Sequence, residues 1–361
     1  MVRTLLILCG GQSDEHEISL ISAKCILDAL DRSRFRPLVV GISKRGHWHL
    51  ADEKTFYKGE VRADRISLDE STPLVTVSPR AASAGKGQLT AGGRTETFDA
   101  VFPVLHGTLG EDGTVQGMLD VMGVPYVGSG CEASAVCMDK VLTKALCRVA
   151  GIPVAEWITL SSVDQIDARA AELRALGDLR FVKPARQGSS VGVTRVTRAE
   201  DLRAAVEKAL RHDTKCLVER GIRGREIECG VLGLHGDAKA SVPGEIVVSQ
   251  SIGWYSYEAK YLLPDAAETL TPAPLPEGKA REVGALAVHA FDTLECDGMA
   301  RVDMFLEEGT QKLFLNEVNT IPGFTPISMY PKMWEKSGVS YGELITRLVD
   351  LAVRRQAARK G

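Results

Sequence analysis

Short apolar runs alternate with amphipathic stretches through the first third of the chain. Residues 5–9, 37–42 and 100–105 have the length and composition of buried strands, and residues 18–30 have the apolar spacing of a helix. Short apolar strands that alternate with helices favour a parallel sheet with helical crossovers. Residues 78–95 are small and polar, which indicates a flexible insertion or a hairpin. The first third is therefore predicted to be an α/β domain.

Strand and helix patterns continue to the end of the chain. A predicted helix at 133–149 is followed by Gly151 and Pro153, which are typical of a helix end. We further predict strands at 157–160, 180–183, 216–219, 226–233, 244–249, 300–306 and 312–318, and helices at 199–212, 279–294 and 341–359. A chain of 361 residues is long enough for two or three domains. We predict three domains, at 1–130, 131–222 and 223–361.

Composition and charge argue against several classes of protein. The chain is 44% hydrophobic and 25% charged, and its formal net charge of −3 argues against a nucleic-acid binder. No apolar run approaches the ~18 residues that a membrane span needs. The eight cysteines include no C-x-x-C pair, so we expect reduced thiols in a cytoplasmic protein.

Two turns that follow predicted strands carry candidate site residues. The segment GGQSDEHE follows the first strand, and its Glu15 lies near the carboxyl end of that strand, where open α/β sheets bind ligands. The segment is not G-x-G-x-x-G, and a simple strand-to-helix turn is an equal alternative. His106 follows another strand beside Gly107, and it is either a core histidine or a second residue of the site.

The loop at residues 186–193, RQGSSVGV, lies just after Lys183 at the end of a predicted strand. Backbone N–H groups in such a loop can converge on phosphate, and the lysine adds a positive charge. The alternative is a plain hairpin turn. The lysine together with two glycines and two serines favours phosphate binding.

Polar residues lie on the last two predicted strands before residue 320. Arg301 and Asp303 are two residues apart, as are Glu317 and Asn319, so each pair shares a strand face. If the strands pair, two carboxylates meet, and buried like charges are costly unless a cation binds them. Oxygen ligands suit Mg²⁺. An exposed ladder of ion pairs is the alternative, but the apolar runs beside these residues favour burial.

The turn at residues 320–325 would fold back over this face. The N–H group of Gly323 is a candidate donor to an oxyanion. Ser328, at the predicted start of the next helix, is a candidate ligand for a carboxylate.

The chain resembles the D-alanine–D-alanine ligases of the ATP-grasp superfamily. The resemblance rests on segments that occur in family order: GGQSDEHEIS, LHGTLGEDGTVQGMLDVMGVPYVGSG, MDK, VKPARQGSSVGV, YEAKYL, ARVDMFL and NEVNTIPGFT. It implies a three-domain ATP-grasp fold of the α/β class, with an N-terminal parallel-sheet domain and ATP bound between the central and C-terminal domains.

The resemblance also implies roles for individual residues. Those implied in catalysis are Glu15, Ser189, Arg301, Gly323 and Ser328. Those implied in ATP binding are Lys140, Lys183, Ser190, Glu219, Arg220, Ile222, Glu226, Lys260 and Asn316. Those implied in contacts with D-alanine are Glu15, His106, Lys260, Tyr261 and Ser328, and the implied metal ligands are Asp303, Glu317 and Asn319. Ala185, Gln187 and Ile321 depart from residues frequent in the family, but none of them removes a group with an implied role.

The activity that the resemblance implies is the ATP-dependent formation of D-alanyl-D-alanine through a D-alanyl phosphate, for peptidoglycan synthesis. It also implies two Mg²⁺ ions, with Mn²⁺ as a substitute, a homodimer, and ATP and D-alanine as the partners. Residues 251–264 are expected to close over the nucleotide as a lid, and Tyr261 favours D-alanine as the second substrate.

Two other functions are compatible with parts of this pattern. One is an ATP-grasp ligase that acts on a different amino acid. The other is a non-catalytic nucleotide-binding protein, and the set of Arg301, Asp303, Glu317 and Asn319 argues against it because simple binding does not need all four.

Overall fold

The computed structural model describes residues 2–78, 86–248 and 267–359. Its strands, in chain order, are β1 (Arg3–Gly10), β2 (Phe35–Ile42), β3 (Trp48–Ala51), β4 (Tyr57–Lys58), β5 (Ser67–Leu68), β6 (Val75–Ser78), β7 (Gly87–Ala91), β8 (Arg94–Phe98), β9 (Ala100–Pro103), β10 (Trp157–Leu160), β11 (Arg180–Pro184), β12 (Thr194–Val196), β13 (Cys216–Arg220), β14 (Gly224–Gly233), β15 (Lys239–Ala240), β16 (Gly244–Val248), β17 (Ala267–Leu270), β18 (Gly298–Glu307) and β19 (Leu313–Asn319).

The helices, in chain order, are α1 (His16–Ala29), α2 (Thr114–Met122), α3 (Cys131–Met138), α4 (Lys140–Val149), α5 (Gln165–Ala168), α6 (Ala170–Ala175), α7 (Leu202–Leu210), α8 (Glu277–Thr293), α9 (Met329–Lys336) and α10 (Tyr341–Ala358). None of these described helices is long and apolar enough to cross a membrane.

The first sheet has the order β3-β2-β1-β9. Strand β1 is parallel to both β2 and β9, and the edge strand β3 is antiparallel to β2. The predicted parallel sheet is therefore confirmed. Because β1 and β9 are parallel neighbours, the turns after them emerge at the same edge, and this brings Glu15 and His106 to one end of the sheet.

Small antiparallel sheets between β3 and β9 were not predicted from the sequence. Strands β4 and β5 form one pair, and β6, β7 and β8 form a three-stranded sheet. The part of the predicted insertion that the structure describes is the β7–β8 hairpin, where Gly92 and Gly93 have positive φ angles of 56° and 76°. Both central residues of a tight type I′ turn need such angles, so the two glycines account for the turn.

Two further sheets follow in the sequence. The second has the antiparallel order β10-β13-β11-β12, and α7 packs against it. The third has the order β17-β16-β14-β18-β19, with β15 also paired to β14. These sheets take their strands from residues 157–220 and 224–319, so we propose that the domain boundary near residue 222 lies between them.

The predicted helix at 133–149 is two helices, because the chain is extended at Asp139. This residue has φ −89° and ψ 99°, and its carboxylate accepts hydrogen bonds from the N–H groups of Val141 at 3.0 Å and Leu142 at 3.3 Å. An aspartate that caps the first turn starts a new helix. As a result α4 begins at Lys140, the lysine of the MDK segment.

The last helix, α10, packs against the first sheet and also contacts β18 of the third sheet. Leu344, Ile345, Leu348 and Val349 are buried in one core with residues of α1, β1 and β9. Arg355 continues this buried face and donates hydrogen bonds to the carbonyl oxygens of Tyr126, at 3.0 Å, and Gly128. Its guanidinium also lies 4.3 Å from the centre of the Tyr126 ring. The end of α10 is thereby joined to the segment that precedes α3.

We expect the substitution Arg355→Met to destabilise the protein by about 3 kcal/mol, because two buried carbonyl groups would lose a charged donor. Thermal unfolding measures the effect. Arg354 precedes it on the exposed side of the same helix, so Arg354→Met is the matched control and should change the midpoint little. Equal midpoints for the two variants would contradict the assigned contacts.

Candidate active site

Two adjoining cavities contain the predicted site residues that the structure describes. The first, of about 560 Å³, is lined by the candidate ATP-binding residues Lys140, Lys183, Ser190, Glu219, Arg220, Ile222, Glu226 and Asn316. The second, of about 480 Å³, is lined by the candidate substrate and catalytic residues Glu15, His106, Ser189, Gly323 and Ser328. Arg301 and Glu317 line both cavities. The two cavities therefore meet at the predicted carboxylate face.

The first cavity is lined by both apolar and charged side chains. Leu179, Phe181 and Ile222 contribute apolar side chains, whereas Lys140 and Lys183 contribute ammonium groups. A flat aromatic base suits apolar walls, and phosphates suit lysines. The arrangement can hold a nucleotide with its phosphates toward the second cavity.

The predicted pairing of the two strands that carry the carboxylates is confirmed. Strands β18 and β19 are antiparallel, with Asp303 opposite Glu317 and Arg301 opposite Asn319. The Arg301 guanidinium donates two hydrogen bonds of 2.7 Å to Asp303, and the Asn319 amide donates a third at 2.9 Å. These charge-assisted bonds hold Asp303 against its neighbours.

A bulge in β19 brings one more polar residue to this face. Met304 pairs with Leu315 and Asp303 pairs with Glu317, so Asn316 is an extra residue. In a regular strand Asn316 and Glu317 would point to opposite faces, but both line the first cavity. The alternation of side chains along a regular strand did not predict that Asn316 would lie on the same face as Glu317.

The donor set fits a divalent cation held together with phosphate. Asp303, Glu317 and Asn319 offer carboxylate and amide oxygens, the ligands that Mg²⁺ prefers. Among residues 2–78, 86–248 and 267–359, no group of three or more His, Cys, Asp and Glu side chains could hold a metal ion. Proteins usually bind Mg²⁺ through one or two carboxylates together with substrate phosphates, so two carboxylates are enough at such a site.

The two candidate phosphate lysines are held by separate contacts. Lys140 donates to the carbonyl oxygen of Gln187 at 2.7 Å and lies 3.4 Å from the Glu317 carboxylate. Lys183 donates to the Asn316 amide oxygen at 3.1 Å and lies 2.6 Å from a Glu219 carboxylate oxygen. Both ammonium groups thus face the carboxylate end of the first cavity.

Glu15 connects the first sheet to the loop after β11. The hydroxyl of Ser189 donates a hydrogen bond to the Glu15 carboxylate. The backbone approaches closely on two sides, because a Cβ atom at Gly107 or Gly188 would lie 3.0 Å from the other carboxylate oxygen. Ser189 has a left-handed φ of 47°, a conformation that is strained for serine and is often found at functional sites.

His106 is a neutral hydrogen-bonding residue of the second cavity. Its Nδ1 donates to the carbonyl oxygen of Ile321 at 3.0 Å, and its Nε2 lies 3.3 Å from the Ser22 hydroxyl. Burial lowers the pKa of His106 and outweighs the nearby Glu15 carboxylate. The histidine therefore joins α1 to the turn that contains Gly323 without carrying a charge.

Gly323 and Ser328 lie next to each other at the far side of this cavity. A Cβ atom at Gly323 would lie 2.7 Å from the Ser328 hydroxyl, so only glycine leaves the serine in place. The hydroxyl accepts a hydrogen bond from the N–H group of Thr325 at 3.0 Å. Ser328 is also the residue that precedes α9. The candidate oxyanion donor and the candidate carboxylate ligand are thus adjacent.

Three residues of the site were not singled out from the sequence. Glu111 lines the second cavity, Glu228 lies 3.3 Å from Arg301, and Lys144 is buried beside Glu219. Glu228 could have been found, because it is two residues from Glu226 on β14 and so shares its face. Lys260 and Tyr261, with the predicted lid, lie outside the described residues.

Comparisons with known proteins agree with the geometry. Family models described as the N-terminus and the C-terminus of D-ala D-ala ligase match residues 4–129 and 146–350. The chain is similar to D-alanine–D-alanine ligase A of Escherichia coli (strain K12), with 46% identity over 353 residues that cover 98% of this chain and 96% of that protein.

Solved structures show the same similarity. The D-alanine-D-alanine ligase from Coxiella burnetii has a TM-score of 0.84 and 38% identity, and the match covers 99% of this chain and 96% of that chain. The VanG D-Ala:D-Ser ligase from Enterococcus faecalis has a TM-score of 0.83 and 34% identity, with 98% and 100% covered.

Glu111 should make stability depend on pH. Burial and the Glu15 carboxylate raise the pKa of Glu111 to about 8, from 4.5 in an unfolded chain. The folded wild type should lose stability as the pH rises from about 4.5 to about 8, because the unfolded state releases this proton more readily. Glu111→Gln cannot ionise, so its stability relative to wild type should grow across that window by up to about 1.4 kcal/mol per pH unit.

Thermal unfolding at several pH values measures this difference. The exposed Glu132 serves for the control variant Glu132→Gln, which should follow the wild type at every pH. A constant difference between Glu111→Gln and wild type from pH 5 to pH 8 would contradict the prediction.

Proposed function

The chain belongs to the D-alanine–D-alanine ligase family, and we propose that it uses ATP to join two D-alanine molecules through a D-alanyl phosphate. The observation that carries this proposal is that the nucleotide cavity and the substrate cavity share Arg301 and Glu317. A phosphate held in the first cavity would therefore lie beside a carboxylate held in the second. Such adjacency is what phosphoryl transfer to a carboxylate requires.

We assign the nucleotide to the first cavity. Glu219, Arg220 and Ile222 would contact adenine, and Glu226 would contact the ribose. Lys140, Lys183, Ser190 and Asn316 would hold the phosphates, together with Lys260. The apolar and charged side chains that line the cavity support this assignment. Family membership implies ATP and a divalent cation; two Mg²⁺ ions, with Mn²⁺ as a substitute, are our more specific proposal.

The first D-alanine would lie in the second cavity with its ammonium group at Glu15. Ser189 donates to the same carboxylate and so fixes its orientation. The substrate carboxylate would then point toward Arg301 and the γ-phosphate. When bound, a divalent cation held by Asp303, Glu317 and Asn319 would neutralise the negative charge that otherwise repels this carboxylate.

A carboxylate oxygen of the substrate attacks the γ-phosphorus, and ADP departs with the electrons of the broken P–O bond. The amine of the second D-alanine then attacks the carbonyl carbon of the D-alanyl phosphate. Arg301 and the Gly323 N–H would stabilise the oxyanion, each donor contributing ~3 kcal/mol. Ser328 and Lys260 would hold the second carboxylate, and His106 would position the turn that carries Gly323. The C–O bond to the phosphate then breaks, phosphate leaves with that electron pair, and the proton that the nitrogen releases passes to the phosphate or to solvent, which completes the peptide bond.

We propose D-alanine as the second substrate. The Enterococcus faecalis relative is named a D-Ala:D-Ser ligase, so similarity in fold extends to an enzyme with a different second substrate. Tyr261, which we interpreted as favouring D-alanine, lies outside the described residues. The choice between D-alanine and a related second substrate therefore needs a direct assay.

We further propose a cytoplasmic homodimer without nucleic-acid or membrane partners, acting in peptidoglycan synthesis. All eight cysteines are free thiols, which supports a reducing compartment. A dimer through the N-terminal domain is an inference from the family.

Incubation with ATP, Mg²⁺ and D-alanine should yield D-alanyl-D-alanine with one phosphate released per dipeptide. A mass spectrum of the products and a phosphate assay measure both quantities. Parallel reactions with D-serine or D-lactate added at neutral pH test the second substrate. Absence of ATP turnover in the presence of D-alanine would favour the non-catalytic alternative, and a dominant mixed product would contradict the assigned specificity.

Asp303→Asn should raise the Mg²⁺ concentration needed for half-maximal velocity about tenfold or more, because one anionic ligand becomes neutral. Titration of activity with MgCl₂ measures the shift. Glu308 is exposed in the turn after the same strand, and Glu308→Gln is the control that should leave the titration unchanged. An unchanged Mg²⁺ dependence in Asp303→Asn would argue against Asp303 as a metal ligand.

A further inference from the structure

Lys144 is a buried charged residue to which the proposed reaction gives no role. It lies on α4, and only 1% of its surface is exposed. Its ammonium group forms an ion pair with Oε1 of Glu219, while Lys183 pairs with Oε2 of the same carboxylate at 2.6 Å. Glu219 is itself buried, with 3% of its surface exposed. Two lysines therefore share one carboxylate.

We propose that Lys144 is a positioning residue that keeps the positive charge of Lys183 available for the phosphates of the nucleotide. This inference rests on the proposed function, because it takes Lys183 as a phosphate ligand. Lys144 does not line the nucleotide cavity, and it would act on Lys183 through Glu219.

The charge of the cluster supports this role. Glu219 and Lys183 alone would form a neutral pair, and the lysine could draw on both carboxylate oxygens. Lys144 occupies Oε1, so Lys183 contacts Oε2 and donates to the Asn316 amide oxygen at 3.1 Å. Two ammonium groups and one carboxylate leave a net positive charge, and Lys183 is the member that lines the cavity.

Neutralising Glu219 does not by itself require Lys144. One buried ammonium already pairs with this carboxylate through Lys183, and a second buried charge adds a desolvation cost. Burial lowers the pKa of Lys144 and Glu219 opposes that shift, whereas the pKa of Glu219, although raised by burial, is held at about 2 by the two lysines. The Glu219 carboxylate is therefore ionised between the two lysines.

Arg148 provides a matched control for the packing of Lys144. Both residues are on α4, and both place their charge over the Trp157 ring, at 5.9 Å for Lys144 and 4.0 Å for Arg148. Arg148 is half-exposed and pairs with Glu156 instead of Glu219. Arg148→Met therefore removes one positive charge and one contact with Trp157 without altering the buried cluster.

The test compares binding of ADP and of adenosine, with Mg²⁺ present, by isothermal titration calorimetry on the full chain. Lys144→Met should raise the Kd of ADP about tenfold, because a nearby charge is lost. The Kd of adenosine should rise by a clearly smaller factor than that of ADP, because adenosine can report a change at the adenine contact Glu219 but has no phosphate to sense the lost charge. Arg148→Met should change neither affinity.

An equal loss of ADP and adenosine affinity in Lys144→Met, or no loss, would show that Lys144 is only structural and would overturn the inference. If this variant does not fold, Lys144→Gln keeps an N–H donor near Glu219 without the charge and serves for the same comparison. Wild-type protein that makes no dipeptide and binds no ADP would instead overturn the proposed function.

Discussion

Two carboxylates face each other across β18 and β19, and the site depends on the cations that surround them. Asp303 lies opposite Glu317 in the strand register, where mutual repulsion would be costly at partial burial. Arg301 is bonded to Asp303, and Lys140 lies 3.4 Å from Glu317. Arg301 also lines both cavities. The positive charge of its guanidinium therefore stabilises the two carboxylates and is also available to the reacting groups of the proposed mechanism.

The substrate cavity is built from segments that are far apart in the chain. Glu15 follows β1, Ser189 belongs to the loop after β11, and Ser328 precedes α9. Close backbone approaches keep the segments together, since neither Gly107 nor Gly188 could gain a side chain without crowding Glu15. The two glycines therefore matter here as much as the charged residues, because they allow these distant segments to approach one another closely.

The sequence predicted the parts of the site that follow from local periodicity. Residues two apart on a strand share a face, and this rule was sufficient to place Arg301 with Asp303 and Glu317 with Asn319, whereas the pairing of their strands was only a condition of the prediction. The bulge at Asn316 breaks the rule by one residue, and no residue type marks it in advance. The helix break at Asp139 could have been predicted, because aspartate is a common N-cap residue of helices.

Other contacts could not be predicted, because they depend on packing between elements. Nothing in the sequence connects Lys144 with Glu219, since their contact requires α4 to lie against β13. The contribution of α10 to the first core is similar: its amphipathic pattern predicts a helix but does not say which sheet it covers. The periodicity of a helix predicts which of its faces is buried, but the element against which that face packs depends on the whole fold.

On the proposed assignment of nucleotide and metal, the ion pairs of the first cavity would link the binding of the two. A triphosphate that engages Lys140 and Lys183 must compete with Glu317 and Glu219 for these ammonium groups. Glu219 would keep Lys144 and would stay paired in the core. If Lys140 turns from Glu317 to the phosphates, a divalent cation held by Glu317 would replace the positive charge that this carboxylate gives up. Each ligand should then favour the other, as thermodynamic reciprocity requires.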